Sequence, residues 1–96
     1  MKITETLREE REEILRIAER HGARDVRLFG STARGEAMPE SDVDFLVKTA
    51  PVTTAWFPVG LIEDLEKLLG RKVDVVTENS LHWNIRDKVL KEAVPL

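Results

Sequence analysis

Apolar positions recur along this chain with two different periods. Leu7, Ile14, Leu15 and Ala18 share one side of a helix among many charges. The spacing predicts an amphipathic surface helix lying over a sheet, with Thr6-Leu7-Arg8-Glu9 in capping-box form near its start and a left-handed Gly22 closing it. Glu12 and Arg16 stand one turn apart as an ion pair. Val26 to Phe29 then reads as a short strand, Ser31 to Arg34 as a brief helix stopped by Gly35, and Glu36 to Ser41, with Pro39, as a loop. Val43 to Val47 is a second strand with Asp42 at its mouth. Past a connection from Lys48 to Phe57, Pro58 suits the first turn of a helix that runs to Leu69 and is capped by Gly70. Lys72 to Thr77 is a third strand. Leu81, Ile85, Val89 and Ala93 mark a last helix, capped by Ser80 or Asn79 and ended by Pro95.

The order αβ(α)βαβα implies an α/β (α+β) fold in a single domain, residues 1–96, with a small sheet of about three to four strands. Ninety-six residues, 42% of them apolar, suffice for one core but not for a catalytic domain plus a substrate domain. No apolar run approaches the roughly 18 to 20 residues of a membrane span, and the charged start is unlike a signal peptide, so the expected setting is cytoplasmic. Cysteine is absent, so any metal must be held by oxygen or imidazole. A net charge of −3 without a basic run argues against direct nucleic-acid binding.

Candidate chemistry lies between Gly30 and Asp44. Glycine lets backbone approach a ligand, and a helix opening at Ser31 directs free amides at phosphate, with the Ser31 hydroxyl adding a further bond. Arg34, one turn on, is either a triphosphate contact or a surface partner of Glu36 or Glu40. Asp42 and Asp44, two apart and about 6 to 7 Å from one another along a strand, share the face opposite Val43, Phe45 and Val47. Asp74, alone in the apolar run Val73-Asp74-Val75-Val76, belongs on that same face, because a buried unpaired carboxylate is costly. Taken singly, Gly30-Ser31 reads as a helix cap and Asp42-x-Asp44 as a solvated strand face. Together with Asp74 they form the donor set of a two-metal nucleotidyl transfer, with Mg²⁺ favoured and Mn²⁺ an alternative. Ser41 reads as a turn former, His21 as a helix C-terminal residue, His82 as a first-turn surface residue, and Trp56, Phe57 and Trp83 as core or interface packing.

Gly-Ser-x10-Asp-x-Asp resembles the signature of the DNA polymerase beta nucleotidyltransferase superfamily. With Gly30 to Gly35 and Leu69-Gly70-Arg71-Lys72-Val73-Asp74-Val75-Val76, the chain looks more narrowly like the minimal nucleotidyltransferase family. The resemblance implies a polymerase beta-like core with helices packed on one face of the sheet. It also implies an antitoxin of a type VII-like pair whose partner, a HEPN-family toxin, is silenced by AMP transferred from ATP to a tyrosine. Gly30, Ser31 and Arg34 would then bind the nucleotide, and Asp42, Asp44 and Asp74 would be the catalytic metal ligands. Two rival expectations stand beside this one: an antitoxin that works by binding alone, and a transferase acting on a small molecule or RNA. A homodimer is left open. Tyrosine is absent from the chain, so a tyrosine acceptor would have to lie in another protein.

Overall fold

Four strands make one sheet in the order β3-β2-β1-β4, with β1 at Ala23–Phe29, β2 at Val43–Thr49, β3 at Val73–Thr77 and β4 at Val94–Pro95. The computed structural model describes residues 3–36 and 41–96. β1 is antiparallel to both β2 and β4, whereas β2 and β3 are parallel. Between the strands lie α1 (Ile3–Glu9), α2 (Arg11–Arg20), α3 (Gly30–Ala33), α4 (Val59–Leu69) and α5 (Trp83–Glu92).

Alternation in the strands builds the core. Val43, Phe45 and Val47 are buried with Val73, Val75 and Leu28 against Ile14, Ile17 and Ala18 of α2 and Leu61 and Leu65 of α4. Each such side chain contributes about 1.5–3 kcal/mol by leaving water. β1 reaches further back than Val26 because of a bulge: Arg24 pairs with Lys48 and Arg27 with Leu46, so Asp25 and Val26 together face one residue of β2. Asp25 takes φ 54 there. The extra residue shifts the alternation so that Ala23 and Val26, three apart, both point into the core, and it turns Arg27 onto the opposite face.

Topology decides what covers that opposite face. The crossovers β2-α4-β3 and β3-α5-β4 both join parallel strands but step across the sheet in opposite directions. Sharing the right-handed sense, they place their helices on opposite faces. α4 packs on the core side, so α5 crosses the aspartate side, where Leu46 at 0% exposure and Val89 at 9% are buried outside the main core cluster.

Several local expectations change. Thr6 does not cap a helix start: α1 already begins at Ile3, and the amide of Glu10 bonds the carbonyl of Thr6 at 2.9 Å, so the helical ladder continues through the turn into α2. Arg16 pairs with Glu13 rather than Glu12. The cap of α5 is His82, which accepts from the Asn84 amide, because Glu78–Ser80 is a separate 3-10 turn. Of the last helical stripe Val89 is buried while Ile85 stays 47% exposed. Glycines at 22, 35 and 70 adopt positive φ where the helix ends require it. Pro39 and Glu40 lie outside the described residues.

Candidate active site

Strand register brings the acidic residues together. Asp44 is the direct partner of Phe29 on β1 and of Asp74 on β3. Directly paired residues point to the same face, so Asp44 and Asp74 stand side by side, with Asp42 one residue ahead of β2 on the same parity. Asp44 is half-buried; Asp42 and Asp74 are exposed. Its burial raises the Asp44 pKa, and the charges of Asp74 and Asp42 raise it further, while the charge of Arg34 pulls it down. Among the described residues no three carboxylates or imidazoles converge closely enough to cage an ion.

Gly30 follows β1 with φ 68, and a Cβ built on it would sit 2.5 Å from Asp44 Oδ2. A side chain there would require the Asp44 carboxylate to move. The start of α3 is thereby held directly against the innermost carboxylate, with Ser31 part-buried next to it. α3 is a single turn, so its contribution to an anion comes from nearby amides and the hydroxyl rather than from a long helix dipole. Arg34 is turned toward two carboxylates: Nε donates to Glu36 at 3.0 Å and Nη1 donates to Glu92 of α5. These pairs raise its pKa further, the Glu92 hydrogen bond foremost. Glu92 was not singled out in the sequence; nothing near it in the chain signals an approach to a residue 58 positions away.

Further along the same face Arg27 pairs with Glu78 at 3.2 Å and Lys48 with Asp25 at 3.3 Å, so these cations neutralise local acids rather than forming a basic patch. The Ser41 carbonyl accepts from Arg71 at 2.6 Å. Both ring nitrogens of His21 have protein partners: Nε2 meets Asp64 at 2.7 Å and Nδ1 meets Thr54 at 2.8 Å. Phe57 packs against the core, but Trp56 and Trp83 are 86% and 81% exposed, which removes both tryptophans from it.

A family model described as a nucleotidyltransferase domain matches residues 7–96. The chain belongs to this nucleotidyltransferase family. It is 44% identical over 78 residues to the protein adenylyltransferase MntA of Thermococcus cleftensis, a match spanning 81% of this chain and 79% of that protein. A Methanocaldococcus jannaschii protein, provisionally named a protein adenylyltransferase, is 39% identical over 88 residues, 92% of this chain and 95% of its own length. Among solved structures, one designated provisionally as a minimal nucleotidyltransferase superposes with a TM-score of 0.87 at 48% identity, covering 100% of this chain and 97% of that one. A toxin-antitoxin crystallised with AMP-PNP shares the fold, with a TM-score of 0.74 at 22% identity over 88% of this chain and 69% of that one. The mixed sheet and its flanking helices are those of a nucleotidyltransferase. No helix among the described residues is long and apolar enough to cross a membrane.

Proposed function

We propose that this chain is a Mg²⁺-dependent protein adenylyltransferase that moves AMP from ATP onto a hydroxyl of a HEPN-family toxin and thereby acts as its antitoxin. The observation that carries this reading is the gap between Gly30 and Asp44, 2.5 Å from a hypothetical Cβ to Oδ2. The pairing of Phe29 with Asp44 brings the turn this close, and the glycine keeps the space between backbone and carboxylate open, so that one ligand can touch both. The relatives named as protein adenylyltransferases support the choice of a protein as acceptor.

The donor set fits the metal chemistry. Asp42, Asp44 and Asp74 offer only hard oxygen ligands, and the burial and then the neighbouring charges that raise the Asp44 pKa are costs that a bound cation would offset. Bound there, Mg²⁺ would neutralise the triphosphate and make the attacking hydroxyl more acidic. The chain's residues do the rest. Gly30 and Ser31 hold the phosphates in line, and Asp74, exposed on the edge strand, faces the side from which an acceptor arrives. The acceptor oxygen forms a bond to the α-phosphorus, the bond from that phosphorus to the bridging oxygen breaks, pyrophosphate leaves, and the hydroxyl proton passes to Asp74. With no tyrosine in the chain, a tyrosine acceptor belongs to the partner.

Incubating the protein with ATP, Mg²⁺ and the toxin encoded beside it is expected to add AMP to the toxin, read by intact mass. Asp42→Asn combined with Asp44→Asn is expected to abolish the gain. A double variant that modifies the toxin as fast as the wild type overturns the site. Unmodified toxin that is nevertheless neutralised by both proteins establishes instead an antitoxin that acts by binding alone.

A further inference from the structure

Glu92 ends α5, and Arg34 directly follows α3. The two meet because the β3-α5-β4 crossover delivers the end of α5 beside β1: Val94 pairs with Leu28, two residues before α3 begins at Gly30. The Glu92 side chain is 20% exposed and the Arg34 side chain 45%, so the anchor is the more buried member of the pair.

A guanidinium is a rigid plane with five N–H donors spread over Nε, Nη1 and Nη2. Glu36 takes Nε and Glu92 takes Nη1, while no described residue takes Nη2. Arg34 closes α3, its amide donating to the Gly30 carbonyl at 3.2 Å, so the group stands one turn from the residue that abuts Asp44. Held at Nε by one carboxylate and at Nη1 by another, the plane cannot turn, so the Nη2 donors keep a fixed orientation, which lowers the entropy lost when an anion binds there.

We propose that Glu92 is a positioning residue, holding Arg34 so that the Nη2 edge of the guanidinium meets the triphosphate of ATP bound between Gly30-Ser31 and the aspartates. The inference rests on the nucleotidyl-transfer reading above. It assigns the last helix a part in nucleotide affinity that none of its own side chains plays by direct contact. It also fixes a sign: Glu92 aids phosphate binding rather than competing with phosphate for Arg34.

Binding of ATP with Mg²⁺ to the whole chain tests this by calorimetry, well below the melting temperature of each variant. Glu92→Ala is expected to weaken binding roughly tenfold, the loss of about one charge-assisted hydrogen bond. Arg34→Ala is expected to match it, and the double variant to bind no more weakly than Arg34→Ala alone. Glu92→Gln retains an oxygen that accepts from Nη1 and is expected to recover most of the affinity, which also covers the case in which Glu92→Ala fails to fold. Adenosine, which lacks phosphates, is expected to bind wild type and variants alike. Unchanged or tighter ATP binding by Glu92→Ala, or losses that add in the double variant, overturns the proposal. If the folded wild type binds no ATP, the proposal falls together with the parent reading. If wild type binds, Asp42→Asn with Asp44→Asn does not, and Glu92→Ala binds as wild type does, only the role of Glu92 falls.

Discussion

Two residues set the terms of the site, one by having no side chain and one by its charge. At Gly30 an alanine would have to occupy space 2.5 Å from Asp44 Oδ2 while holding φ 68. The backbone alone would cost about 1–2 kcal/mol, and the displaced carboxylate would lose its place beside Asp74. Gly30→Ala is therefore expected to lower the unfolding free energy from urea denaturation by that amount and to lose ATP binding altogether; a variant that binds ATP normally would show that the close approach is incidental. Asp44 carries the opposite kind of signal. Its pKa lies above the ordinary 3.8, raised by burial first and by Asp74 and Asp42 next. The folded chain thus holds this proton more tightly than the unfolded chain, and between the two pKa values the native state binds more protons. Stability must then fall as pH rises from about 4 through the raised value, the penalty being complete above it. Without metal, Asp44→Asn is expected to melt above wild type at neutral pH and to show a flatter dependence on pH. A variant that melts lower at neutral pH would mean that the carboxylate is stabilised in its charged form.

Between elements, the strongest side-chain tie on the core side is His21, the C-cap of α2, which joins Thr54 in the loop after β2 to Asp64 in α4. A Cβ on Gly60 would come within 3.0 Å of its ring, so α4 is shaped around the imidazole. The hydrogen bond from His21 is the first cause of the lowered pKa of Asp64. This contribution is present above the ordinary 3.8 and is lost as pH falls through the lower folded value. Asp64 is 44% exposed, so solvent screening limits the effect of Asp64→Asn to less than about 1 kcal/mol at neutral pH. Chemical denaturation curves of variant and wild type are expected to converge on acidification; a gap that widens at low pH would contradict the tie. Elements whose cause is local were legible in the sequence: the alternation of β2, the αL glycines at helix ends, and the Gly30, Ser31 and paired-aspartate motif. Features fixed by tertiary pairing were not. Arg24 and Asp25 disguise the first half of β1, which a bulge makes compatible with the core. β4 is two residues long and exists through its pairing with β1. Glu92 reaches Arg34 only once a crossover has been drawn.

For the whole molecule, size turns ligand binding into a large fraction of stability. A domain of 96 residues is held together by about 5–15 kcal/mol. One face of its sheet packs against α2 and α4, while the other is covered by α5 near Leu46 and left open around three acids that repel one another. On the proposed function, Mg²⁺ and ATP would fill the open part, remove the repulsion and link Gly30-Ser31, β2 and β3 through one ligand. At a hundredfold excess over the dissociation constant, such linkage adds about 2.7 kcal/mol. In a domain of this size each kcal/mol moves the melting temperature by about 4–8 °C. A rise of order 10 °C is therefore expected when millimolar ATP and Mg²⁺ are added together, with ATP alone giving little because the triphosphate then adds negative charge to an acidic face. Asp44→Asn is expected to start from a higher melting temperature yet gain almost nothing from the pair. This crossing of apo stability and ligand response separates a ligand site from a merely strained surface. Equal gains in variant and wild type would show that the aspartates are not where the nucleotide and its metal are held.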